Sequence, residues 1–329
     1  MRSPLPRPSA SAALALCAVA ALLVFAPARA GESDPFWEWR RPVRDSTAAL
    51  NATLEDGFER GLAEVNRSPY AASMACADVV EGMTAPLRGF EFLFFVGGIR
   101  GRYIDARPAS NTEDAERART AGLFRYVPPF NVGLKAPLRP IVRGGDVRFA
   151  LDKVGHFLAE GVAGYRVLVA ERARGADERA AVRAALMNGV HQENGIYGRY
   201  ITGVFSFADL EANARGLRWV RDLCDGPRPG LSFADGRWRT AAPFDLRSYV
   251  TPCMDEAWLP NGYFDGLWDE VRRGVRASCG LRRRPDVVAR FAAYAQRRCD
   301  ADLAPLIAEL AASGAIPDPR RFTMDEACR

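Results

Sequence analysis

Asp152, His156 and Glu160 stand four residues apart in the stretch Leu151-Asp152-Lys153-Val154-Gly155-His156-Phe157-Leu158-Ala159-Glu160-Gly161. On a helix, a step of four turns about 40° around the axis, so the three side chains share one face. Imidazole and carboxylate placed in this way can hold a divalent metal such as zinc. Alternatively, a carboxylate can fix the tautomer of a histidine that acts as a general base. Lys153 lies in the same stretch, and with Lys135 it is one of only two lysines among 45 basic residues. Ammonium and guanidinium groups are not interchangeable, so a lysine kept in so arginine-rich a chain is a candidate for a role that needs a compact charge. Asp152, Lys153, His156 and Glu160 are therefore the candidate catalytic residues.

The second of the two histidines, His191, lies in Asn188-Gly189-Val190-His191-Gln192-Glu193-Asn194-Gly195. Flanking glycines place it at a helix end or in a loop, where a side chain can be aimed into a cleft. Together His156, His191, Glu160 and Glu193 supply the ligand types for one zinc or another divalent ion, provided the two segments meet. The competing expectation is structural. His191 would then be a helix-end residue beside free carbonyls, and the face of Asp152, His156 and Glu160 would be solvated, opposite an apolar stripe. Gly155, Ala159 and Ala163 run beside that face at intervals of four. Small residues in a row let another helix approach closely, and a polar face covered in this way needs internal partners.

The elements that must position these residues are mostly helices. Leu50, Leu54, Phe58 and Leu62 are spaced by four and predict a helix over Ser46–Val65 with Ser46 as its N-cap. A second helix is expected over Tyr70–Met83 and holds Cys76. Leu151, Val154, Leu158, Val162, Tyr165 and Val169 form the stripe of a helix over Phe149–Ala170. Another is expected over Asp177–Met187. Ser206, with Asp209 three residues on, is a capping signature that opens a further helix, and Asn213 inside that helix calls for a partner. Asp235-Gly236 between Leu231-Ser232-Phe233 and Arg237-Trp238-Arg239 predicts a hairpin. Helices resume near Gly262 and Pro285. The last carries Leu303, Leu306, Ile307 and Leu310 and stops at Gly314 and Pro317. The segment 125–145 contains Pro128, Pro129, Pro137 and Pro140 and is expected to be an extended surface connector, the best boundary if there are two lobes. The fold class is mainly α, a single large helical domain with a minor β-hairpin.

Asp152-Lys153-x-Gly155-His156-Phe157, followed by Gly203-Val204-Phe205-Ser206-x-Ala208-Asp209-Leu210-Glu211-Ala212-Asn213, resembles a group of exported bacterial proteins with no assigned activity. The resemblance covers roughly Val142 to Cys224, about a quarter of the chain, and implies export without a mechanism. The Asp-Lys-x-x-His core is also similar to the VanZ-like membrane family, but only over five positions.

The ends and the composition agree with export. Arg2 and Arg7, an apolar run from Ala10 to Phe25 and the small residues of Ala28-Arg29-Ala30 form the three-part pattern of a cleavable signal peptide over residues 1–30. The mature chain then begins at Gly31. The leader holds three of the 45 basic residues and none of the 40 acids, so the remaining charge nearly cancels and no nucleic-acid partner is implied. Of seven cysteines, Cys17 leaves with the leader. An even set remains, Cys76, Cys224, Cys253, Cys279, Cys299 and Cys328, which predicts disulfides, preferably within the last third. No further segment is long enough to span a bilayer. The apolar run Phe90–Val96 is expected to be buried or to wall a ligand pocket. Asn51 and Asn66 sit in Asn-x-Ser/Thr sequons that matter only on a eukaryotic secretory route.

The familiar catalytic signatures are missing: there is no G-x-S-x-G, P-loop, H-E-x-x-H or G-x-G-x-x-G. The leading expectation is an exported helical protein, periplasmic or secreted, with no recognisable catalytic signature. The first alternative is a metal-assisted or His/carboxylate hydrolase acting on an envelope component. The second is a protein that binds lipid or a small molecule.

Overall fold

The computed structural model describes residues 43, 45–87, 141–195, 198–199, 203–264, 266–276 and 278–329. The leader, the Phe90–Val96 run and residues 125–140 of the expected connector lie outside the described residues.

Helix α1 spans Thr47–Arg67 and buries Leu50, Leu54, Phe58 and Val65. Its start is not capped by the Ser46 side chain. Asp45 does that work, its Oδ1 accepting from Thr47 N at 3.0 Å and Thr47 Oγ1 at 2.6 Å. Ser46 N instead donates to Arg143 O at 2.7 Å. Helix α2 is shorter than expected, Cys76–Thr84, because a 3-10 turn over Ala71–Ser73 precedes it.

The end of the expected surface connector is a buried hairpin. Strands β1 (Ile141–Gly144) and β2 (Val147–Ala150) pair antiparallel, and Gly145 at φ +65° makes the turn. Val142 and Val147 are fully buried. The prolines upstream forbid a helix there, but they do not forbid a strand after Pro140.

Helix α3 (Asp152–Ala173) is followed by α4 (Glu178–Glu193), which Asp177 caps by accepting from Ala180 N at 2.8 Å. The expected α3 stripe is buried except Val169. A short strand β3 (Val204–Phe205) leads into α5 (Phe207–Cys224). The capping signature holds, since Ser206 Oγ accepts from Asp209 N at 3.2 Å. The hairpin β4 (Leu231–Ala234) and β5 (Arg237–Thr240) turns through Asp235 and Gly236, both at positive φ, as a two-residue primed turn requires. Near Gly262 the structure has a strand, β6 (Gly262–Tyr263), which pairs with β3, and the helix expected there, α6, begins only at Leu267 and ends at Arg276. Helices α7 (Pro285–Tyr294), α8 (Leu303–Ala312) and α9 (Met324–Ala327) complete the chain.

Helices α3 and α5 cross backbone to backbone. A Cβ on Gly216 would lie 1.9 Å from the Phe157 carbonyl oxygen, and one on Gly161 would lie 2.5 Å from the Gly216 carbonyl carbon. The close approach runs through Phe157, Gly161 and Gly216. It brings the N-terminal turns of the two helices together at the head of the core.

All six remaining cysteines pair: Cys76–Cys224, Cys253–Cys299 and Cys279–Cys328. Two of these bridges lie within the last third, as expected. Among the described residues, no helix is long and apolar enough to cross a membrane.

Candidate functional site

The first turns of α3 and α5 and the loop after Val250 meet in one buried polar cluster. Lys153 is fully buried. Its Nζ lies 3.1 Å from Asp152 Oδ2, 2.6 Å from Asp209 Oδ1 and 2.6 Å from Glu256 Oε1. An ammonium carries three donors around one nitrogen and so can meet three carboxylates converging on one point, whereas a guanidinium spreads its donors over a plane. Asp152 and Asp209 both sit in the first turn of a helix, where free N–H groups and the helix dipole favour negative charge.

Each of these positions is fixed from outside the cluster. Ser206 caps α5 and also donates its N–H to Glu193 Oε2 at 3.1 Å. Glu211 holds the loop that carries Glu256. Its carboxylate accepts from Thr251 Oγ1 at 2.8 Å and from Asp300 N at 3.0 Å, next to the Cys253–Cys299 bridge. Burial raises the Glu211 carboxyl against the opposing pull of Arg215.

His156 stands at the least buried edge of the cluster, with its side chain 12% exposed. Its Nδ1 lies 3.2 Å from Asn213 Oδ1 and its Nε2 lies 3.3 Å from Asp209 Oδ2. Asn213, expected to need a partner, finds it here. Gly189 makes room for its amide, since a Cβ there would lie 3.0 Å from Asn213 Nδ2. An amide oxygen and an ionised carboxylate both only accept, so each contact is a hydrogen bond where the ring nitrogen facing it carries a proton.

The electrostatics are unbalanced. Burial pushes the Asp152 carboxyl up to about 6. Asp209 and Glu256 add to the rise, and Lys153 and His156 oppose it. Burial also raises Asp209, but the charges of His156 and Lys153 and the hydrogen bonds from Lys153 and Ser206 outweigh it, and the net shift is downward. Glu193 is raised well above the usual carboxylate range by burial first and by the charge of Asp209 second. Among the described residues, four carboxyl groups thus surround one lysine and one histidine, an excess of acid that a proton or a cation can relieve.

Lys153 takes one oxygen from each aspartate. The opposite oxygens are Asp152 Oδ1, which is buried with no hydrogen-bond partner, and Asp209 Oδ2, which faces His156 Nε2. Asp152, His156 and Asp209 each offer a ligand atom, and the three atoms lie within 4.8 Å of one another. Tetrahedral bonds of about 2.1 Å to one ion hold ligand atoms about 3.4 Å apart, so the three must draw together by up to about 1.4 Å to share an ion.

Of the residues singled out from the sequence, Asp152, Lys153 and His156 come together. Glu160 does not join them. Its Oε2 is buried without a hydrogen-bond partner, beside Asn213 and Gly189. Glu193 is buried next to the cluster, but His191 is exposed. Residues two apart on a helix point to nearly opposite faces. The arrangement therefore does not gather His156, His191, Glu160 and Glu193 as one ligand set, and the grouped ligands are Asp152, His156 and Asp209. Asp209 and Glu256 were missed as partners. The capping signature and the resemblance motif both contain Asp209, and nothing marked Glu256.

No protein-family model, no curated protein and no solved structure matches this chain.

Proposed function

We propose that Asp152, His156 and Asp209 form a divalent-cation centre, and that this centre serves metal-assisted hydrolysis of an envelope component by an exported protein. The observation that carries the reading is the division of labour in the cluster. Lys153 sits against one oxygen of each aspartate, Asp209 Oδ2 faces His156 Nε2, and Asp152 Oδ1 is buried with no hydrogen-bond partner. The Asn213 contact on Nδ1 supports it, because a metal-ligating imidazole generally has its other nitrogen held by a second group. A cation here would lower the pKa of a bound water and so supply a nucleophile near neutral pH. Three disulfides and the leader-like first 30 residues support a periplasmic or secreted location.

Metal analysis of the chain from Gly31, exported and purified without chelator, tests the reading. About one equivalent of divalent metal is expected, falling at least tenfold in His156→Ala and Asp209→Asn variants whose circular dichroism is unchanged. Near-zero metal in the wild-type protein, even after incubation with zinc and manganese, would remove it.

A further inference from the structure

A cleft of about 530 Å³ opens between α1, α5 and the β4–β5 hairpin, apart from the polar cluster. We propose that it binds an organic cation, an ammonium group carried on an apolar body. This goes beyond the metal centre and does not depend on it.

The wall is aromatic. Phe58, Trp219, Phe244 and Tyr249 all line the cleft. Phe58 stacks on Trp219 at 5.4 Å, Phe244 meets Trp219 edge-on at 5.8 Å, and Phe244 lies parallel to Tyr249 at 6.0 Å. Ring faces are the negative end of the aromatic quadrupole and attract cations within about 6 Å.

The charge has one sign. Among the described residues, the lining contains Glu55, Glu59, Asp222 and Asp245 and no lysine or arginine. Three of these acids also hold structure. Glu55 accepts from Phe244 N, Asp222 from Tyr249 Oη, and Asp245 from Asn51 Nδ2 and Arg247 N. Glu59 is exposed and has no hydrogen bond or ion pair among the described residues. Arg218 acts on Tyr249 from outside the lining, against a burial that raises the Tyr249 hydroxyl. A cleft lined by aromatic rings and carboxylates repels an anion of the same size.

The walls are fixed in advance. Asn66 clamps the hairpin through both of its amide atoms, to Trp238 N at 2.7 Å and Trp238 O at 3.0 Å. Trp238 Nε1 donates to Ala71 O at 2.7 Å. Asn51 accepts from Leu246 N at 3.0 Å. A volume in the range of about 300–1,000 Å³ with prebuilt walls suits a drug-sized ligand.

Calorimetric titration of the chain from Gly31 tests the proposal, with benzyltriethylammonium and toluenesulfonate as probes. The cation should bind at least tenfold more tightly than the anion, and 0.5 M salt should weaken it. Glu59→Gln combined with Asp222→Asn should weaken it at least fivefold, and so should Phe244→Leu alone, each with an unchanged circular-dichroism spectrum. Three results would each overturn the proposal: no binding of the cation, equal binding of the two probes, or cation affinity unaltered in both variants.

Discussion

Removing Lys153 and removing Asp152 should have opposite effects on stability. Taking an ammonium out of water is expensive, and the three carboxylates at 2.6 to 3.1 Å offset that cost only while the nitrogen stays among them. Lys153→Ala leaves the carboxylates buried without their shared cation. A loss of about 3–5 kcal/mol is expected in urea unfolding, with no rescue by Lys153→Arg. Asp152 is the converse case. Its folded-state pKa of about 6 lies above its ordinary 3.8, so the folded protein binds that proton more tightly. Stability of the metal-free protein should therefore rise as pH falls from 7 towards 4, by on the order of 2 kcal/mol. Glu193 acts in the same sense, whereas the lowered Asp209 costs stability only below its ordinary range. Asp152→Asn should accordingly shrink the gain between pH 7 and pH 5, read from urea midpoints in chelator. An undiminished gain would refute the assignment. At this scale the sequence marked Asp152, Lys153 and His156 through rarity and a spacing of four. It could not mark Glu256, because no periodicity links residues about 100 positions apart.

The cluster exists because two helices approach closely enough to share it, and glycine sets that distance. Gly161 and Gly216 make the approach, and Gly216 sits on α5, where the sequence marked Ser206, Asp209 and Asn213 but no small-residue contact. Gly216→Ala would drive a Cβ into the Phe157 carbonyl, at 1.9 Å in the present geometry. Backbone cannot step aside as a side chain can, so a loss of about 3 kcal/mol or more is expected. Metal affinity should fall with it, since Asp152 and His156 ride on α3 while Asp209 and Asn213 ride on α5. Gly164 on the same α3 is the control. A Cβ there meets its nearest atoms at 3.9 Å, an ordinary contact. Gly164→Ala should be neutral or stabilising by up to about 1 kcal/mol through helix propensity. Equal effects of the two substitutions in urea unfolding would mean that the crossing does not set the helix separation. The hairpin at Asp235-Gly236 was legible for a similar reason, because its turn needs positive φ and its residues tolerate it. The β1–β2 hairpin was not, because the sequence showed its prolines more plainly than its pairing.

Across the whole molecule, distant parts of the chain are joined by disulfides, and their loop lengths differ. Cys76–Cys224 closes 148 residues, against 46 for Cys253–Cys299 and 49 for Cys279–Cys328. Six cysteines allow fifteen pairings, so the sequence could point to the last third but could not choose among them. The long bridge was the least legible, since it ties α2 to the end of α5 across the region between them. In the chain-entropy view, a crosslink acts mainly by restricting the unfolded chain, and longer loops gain more. Replacing Cys76 and Cys224 together with serine should cost about 5 kcal/mol, and replacing either other pair about 4 kcal/mol. The expected order is therefore the long bridge first and the two short ones nearly equal, as measured by urea unfolding of the three double variants. The wild-type chain from Gly31, denatured without reductant, should show no reactive thiol, and each double variant should show none either. Six reactive thiols in the wild type would refute the pairing. An order with the long bridge last would place the stabilisation in native contacts around the short bridges, including the loop that carries Glu256 beside Cys253–Cys299.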